Sequence, residues 1–95
     1  MAEVHIISYF SLETDLAAEM RSWREFKSGD GYSVELASPD GDEAVSVGFV
    51  QRGADETACV RVTSPAPGAL FDRVLGRVTH ALAAHSDNLM IYRVS

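Results

Sequence analysis

Residues 32–64 read YSVELASPDGDEAVSVGFVQRGADETACVRVTS, and their alternation decides the fold. Three runs, 32–37, 44–51 and 57–64, are strand-like. They are separated by SPDGDE and RGADE, which have the Gly, Pro and Asp composition of hairpin loops. Successive side chains of a strand point to opposite faces. Tyr32, Val34 and Leu36, then Val45, Val47 and Phe49, then Ala58, Val60 and Val62 therefore share one face. Ser33, Glu35, Ser46, Gly48, Cys59, Arg61 and Thr63 share the other. One face is strongly apolar and the other small and polar, the pattern of a meander covered by helices on one side only.

Upstream, residues 3–10, EVHIISYF, are apolar on both alternating faces, with Val4, Ile6 and Phe10 on one and Ile7 and Tyr9 on the other. That pattern predicts a first strand inside the sheet. Ser11 then precedes Glu13 and Asp15, acids suited to the positive end of a helix, and Leu12, Leu16, Met20, Trp23 and Phe26 recur every three or four residues. The spacing predicts an amphipathic helix of about four turns, ended by Lys27-Ser28-Gly29-Asp30-Gly31. Downstream, Pro65 and Pro67 stand ahead of a second helical stripe, Phe71, Val74, Leu75, Val78 and Leu82, closed by Asp87-Asn88. Residues 89–94, LMIYRV, read as a fifth strand.

The order β-α-β-β-β-α-β predicts an α+β fold: a two-layer α/β sandwich, a mixed five-stranded sheet with both helices on one face. Strand order is left open. The expected core is Leu16, Met20, Trp23, Phe26, Val34, Leu36, Val45, Val47, Phe49, Val60, Val62, Phe71, Val74, Leu75, Val78 and Leu82.

At 95 residues the chain is expected to be a single domain, 1–95, and 46% hydrophobic against 23% charged residues is the balance of a globular protein. The start, MAEVHIISYFSLETD, has no basic region and no long apolar run, so a cytoplasmic protein with no membrane association is expected. The lone Cys59 permits no internal disulfide, in keeping with a reducing compartment. Seven arginines, one lysine and abundant alanine suit a bacterial chain. The net charge of −6 repels a phosphate backbone, so no nucleic-acid partner is expected.

Several groups of residues invite a chemical reading. His80 and His85, five apart, diverge by roughly 140° around a helix, whereas zinc pairs on helices use i and i+4. Arg73, Arg77 and His80 form a basic stripe that either grips an anion or pairs with the acids of the first helix, Glu13, Glu19 and Glu25. The acidic loops, Asp40-Gly41-Asp42-Glu43 and Asp55-Glu56, lack a calcium-loop spacing and fall at opposite ends of a meander. No metal and no cofactor are expected. SPAPG, residues 64–68, lacks the glycine and lysine pattern of a nucleotide loop. Cys59 and Arg61 share a strand face, and His5 would supply a base if its register placed it there.

The expected function is that of a small soluble acidic protein-binding module, acting on a protein partner or as a homo-oligomer. Tyr9, Tyr92, Glu35, Arg61 and Cys59 are the candidate binding residues, and no catalytic residue is assigned. The alternative is a small enzyme or small-ligand binder that uses the open sheet face around Cys59, Arg61 and Glu35.

Overall fold

In a computed structural model, residues 1–8, 13–30, 32–52, 57–66, 68–84 and 89–95 are described. They form β1 (Ala2–Ser8), α1 (Glu13–Met20), β2 (Phe26–Gly29), β3 (Ser33–Ala37), β4 (Ala44–Arg52), β5 (Thr57–Ser64), α2 (Ala69–Ala83) and β6 (Met90–Arg93). The six strands make one sheet in the order β2-β3-β4-β5-β1-β6, and every neighbouring pair is antiparallel.

The expected mixed sheet is thus corrected. β5 and β6 run in the same direction on either side of α2, but β1 lies between them. Likewise β1 and β2, joined through α1, are separated by β5, β4 and β3. Both crossovers exist, and neither brings parallel strands into contact.

The strand count is corrected as well, from five to six. Phe26–Gly29, read as the end of a long helix, pairs with β3 instead, with Phe26 opposite Leu36 and Gly29 opposite Val34. The helix stops at Met20. Past it the amides of Ser22 and Trp23 reach back only three residues, to Glu19 and Met20, and the Ser22 hydroxyl takes the Glu19 carbonyl at 2.6 Å. A serine bonded to the last turn in this way competes with helix continuation. Asp30 then organises the hairpin, its Oδ1 accepting from the amides of Tyr32 and Ser33, both at 2.9 Å. Trp23 and Phe26 keep a helical spacing while packing beside the core from a turn and a strand.

The core lies between one sheet face and both helices. Val34, Val47, Val62 and Val4 form a single rung across β3, β4, β5 and β1. Above the sheet sit Leu16, Ala17 and Met20 of α1 and Leu70, Phe71, Val74, Val78 and Leu82 of α2. Trp23, Phe26 and Leu75, expected in the core, pack against it while partly exposed. Ala2, Val4, Ile6, Ala17 and Leu70 are buried in addition. Tyr32, expected on the apolar face, is 79% exposed; it precedes β3, and its carbonyl accepts from the Phe49 amide at 2.8 Å.

The loop between β3 and β4 is built from its own polar atoms. The Ser38 hydroxyl donates to Asp40 Oδ1 at 2.6 Å and accepts from the Glu43 amide, while Gly41 takes the left-handed φ of 80°. Glu43 reaches from this loop to α2 and accepts from the Leu70 amide at 3.1 Å. A carboxylate here satisfies a free N–H of the first turn and meets the positive end of the helix. A Cβ on Gly68 would collide with that carboxylate, so glycine at the N-cap makes room for it.

Truncating Leu36, which is 1% exposed, should cost ~2–5 kcal/mol, whereas Leu75→Ala at its partly exposed site should cost clearly less. Urea midpoints measure both. Equal shifts would contradict the packing described.

Candidate functional site

On the face away from the helices, polar side chains converge over several strands. Three rungs describe it. The first runs through Ser28, Glu35, Ser46, Thr63 and Glu3, and the second through Ser33, Gly48, Arg61, His5 and Tyr92. The third runs through Cys59, Ile7 and Met90. The face therefore grades from charged and hydroxylated at one end to apolar at the other.

Glu35 and Arg61 lie on different rungs, two strands apart, so the sheet holds these expected site residues near each other without pairing them. The Glu35 carboxylate accepts from the Ser46 hydroxyl at 2.9 Å. The Arg61 guanidinium extends over Gly48, where a Cβ would stand 3.8 Å from it. Among the described residues Arg61 makes no ion pair. Around it Tyr32, Ser33, Ser46, Gly48, Phe49 and Thr63 line an open depression of about 400 Å³.

His5 falls opposite Arg61, on the same face as Cys59, which the sequence had left unsettled. Its Nε2 stands 2.5 Å from Glu3 Oε2, and its ring tilts against Tyr92 at 5.7 Å between centroids. The Glu3–His5 pair was not anticipated from the sequence. Its signal was available, since residues two apart on a strand share a face. The ring contact with Tyr92 required the strand order, which alternation does not encode.

Cys59 is 1% exposed although it points away from the core. Its register partner on β1 is Ile7. A small thiol so fully buried is shielded from solvent, the environment of an inert filler. Tyr9, His85, Asp55 and Glu56 lie outside the described residues. His80 is exposed on α2, and among the described residues no group of three His, Cys, Asp or Glu side chains is placed to hold a metal ion. Among the described residues, too, no helix is long and apolar enough to cross a membrane.

The basic stripe on α2 has a structural partner. Arg73 and Arg77 donate to Glu25 at 2.9 and 3.2 Å, and the Arg77 guanidinium also lies 5.1 Å from the centre of the Trp23 ring. Glu25 is 5% exposed, in the turn between α1 and β2, and its backbone carbonyl accepts from the Ala37 amide. Burial raises its pKa, but the bond from its own amide and the two guanidinium groups outweigh that, so the net shift is downward. The stripe thus ties α2 to the turn ahead of the sheet edge.

No family model matches this chain, and no curated protein is similar to it.

Two outcomes follow from these placements. Native Cys59 should react with a thiol reagent at neutral pH far more slowly than the unfolded chain does, by ~100-fold or more, because the reagent must await local opening. Reaction at the unfolded rate would return Cys59 to the list of nucleophiles. For Glu25, the folded pKa lies below the ordinary 4.5, so its stabilisation is complete above pH 4.5 and is lost as pH falls through the lowered value. Glu25→Gln should cost ~1–3 kcal/mol at pH 7, a figure tempered by the half-exposed arginines, with the difference from wild type shrinking in acid. Urea unfolding at pH 7 and pH 3 measures it.

Proposed function

We propose that this chain is a small acidic protein-binding module, acting through self-association or by docking on a partner protein. The observation that supports this reading is the exposure of the β6 end of the sheet. Met90 is 57% exposed, Ile91 50%, Tyr92 40% and Val94 52%. These residues are consecutive or nearly so, and they present apolar surface on both faces of one strand. Contiguous apolar surface of this kind is uncommon on monomers unless it serves an interaction. Tyr92 combines such area with a hydrogen-bonding tip, a pairing that interfaces favour.

The alternative, a small-ligand binder or enzyme around Cys59, Arg61 and Glu35, draws on one specific feature. An arginine without an ionic partner among the described residues, beside the hydroxyls of Ser33, Ser46 and Thr63, suits a carboxylate or phosphate. Its depression is open, however, and its thiol is shielded. The protein-binding reading is therefore preferred.

Sedimentation of the wild type beside Tyr92→Glu tests it. The wild type should associate in a concentration-dependent manner or retain a host protein. The variant, folded by circular dichroism, should weaken that association by ~10-fold or more. A wild type that stays monomeric at high micromolar concentration, with a variant that loses no host partner, overturns the proposal.

A further inference from the structure

We propose that β6 is an interface strand through which two copies of this chain join edge to edge, β6 running antiparallel to β6 of the second copy with Ile91 opposite its own counterpart. This rests on the reading of the chain as a self-associating module and specifies where and in what register it associates.

The two edges of the sheet differ. β2, at one end, is four residues long, has a register shift between Phe26 and Ser28, and carries exposed Lys27 at the shift. β6 is equally short, so length does not separate the edges, but irregular pairing and an edge lysine are features that discourage another chain from adding a strand. β6, at the other end, pairs with β1 in unbroken register from Met90 to Arg93, contains no proline or glycine, and is exposed throughout. It lacks those protections.

The direction of its free backbone groups follows from one pair of bonds. Glu3 donates to the Ser95 carbonyl at 2.9 Å and accepts from the Val94 amide at 2.8 Å, so Glu3 turns both its N–H and its C=O toward β6. Bonded and non-bonded positions alternate along an antiparallel ladder. His5 with Tyr92 and Ile7 with Met90 are therefore the bonded pairs, and Ile91 and Arg93 direct their N–H and C=O outward.

A two-fold axis normal to the sheet keeps the helices of both copies on one side, and residues that face each other across it must then point to the same face. Centred on Ile91, it pairs Ile91 with Ile91, Met90 with Tyr92, and Leu89 with Arg93. Outward groups then meet outward groups at each bonded position. On one face sulfur meets an aromatic ring, and on the other isoleucine meets isoleucine. Centred on Tyr92, it would set Ile91 against Arg93 and extend bonding to Ser95, which is already engaged with Glu3.

Local charge does not oppose a second copy here, although the net charge is −6. Residues 89–95, LMIYRVS, contain no Asp or Glu, and their one charged side chain is Arg93. Two acidic molecules meet at this edge without carboxylate facing carboxylate. The area on offer is at the small end for a specific interface, roughly 1,000 Å² in total. A dissociation constant on the order of micromolar is expected.

Sedimentation and cysteine cross-linking test the proposal. Ile91→Pro removes an N–H that points outward, so the ladder with β1 is preserved. It should keep the wild-type circular dichroism and weaken the dimer by ~10-fold or more. In a Cys59→Ala background, Ile91→Cys should give a disulfide-linked dimer under mild oxidation, because paired Cα atoms lie about 5.5 Å apart, while Tyr92→Cys should not. Should Ile91→Pro fail to fold, the cysteine pair alone decides. Cross-linking through Tyr92→Cys in place of Ile91→Cys overturns the register. A dimer that survives Ile91→Pro but is lost in Arg61→Glu overturns the edge while leaving self-association intact. A monomer whose β6 amides become protected from exchange only when a different protein is added overturns the second copy and leaves the docking reading. A wild type that is monomeric at several hundred micromolar and binds no protein removes both.

Discussion

The rung formed by Val34, Val47, Val62 and Val4 is the constraint on which the rest of this structure depends. Four strands place a β-branched side chain side by side under the helices, and a slip of one residue in any strand would exchange that side chain for Ser33, Gly48, Arg61 or His5. Such a slip would place a guanidinium or an imidazole beneath Phe71 and Val74 and expose valine to water. Burying an unpaired charge costs far more than a methyl group gains. The same rule that fixes the core therefore composes the open face, because each register that buries valine must also line up Ser33, Gly48, Arg61 and His5.

Alternation is a local property, so it was legible in the sequence wherever burial differs between the two sides of a strand. β3, β4 and β5 were read within one or two residues of their bounds, and the α2 stripe emerged from its period. The first helix was read too long for a physical reason. Trp23 and Phe26 satisfy a helical period and both pack beside the core, so hydrophobic spacing cannot separate them from the helix before them. What separates them is polar chemistry, the Ser22 hydroxyl on the Glu19 carbonyl and the Asp30 carboxylate on the Tyr32 and Ser33 amides. Strand order was not legible, because alternation assigns a residue to a face of the sheet but says nothing of which strand lies beside it. Of the candidate site, the shared face of Cys59, Arg61 and Glu35 could be read from parity. The burial of Cys59 and the contact of His5 with Tyr92 depend on which strands flank β1 and β5.

Two glutamates show how a small acidic chain fastens its helical layer. Glu43 leaves the β3–β4 loop to accept the Leu70 amide at the start of α2, and Glu25 leaves the turn after α1 to hold Arg73 and Arg77 further along the same helix. Neither is an interaction between neighbours in sequence. Each converts a surface charge into a fixed distance between α2 and a segment joined to the β2–β3–β4 half of the sheet. Of the two readings of the basic stripe, an anion grip or pairing with Glu13, Glu19 and Glu25, the fold realises the pairing through Glu25, and Arg61 has no ionic partner among the described residues.

The asymmetry between the two sheet edges has its origin in the helical layer. Two helices side by side span about 20 Å, whereas six strands at about 4.8 Å spacing need roughly 24 Å between the first and last axes alone. Some strand must lie at or beyond the rim of the cover. α2 lies across β4 and β5 and α1 lies beside β3, which places the cover toward the β2 side. β1 is still sealed, with Ile6 fully buried, but Ile91, its register partner on β6 and on the same face, is half exposed. A solvent-facing strand in that position would ordinarily carry charge on both sides. β6 keeps the composition of an interior strand instead, Met, Ile and Tyr with a single Arg, so that its sequence suits a sheet that continues past it.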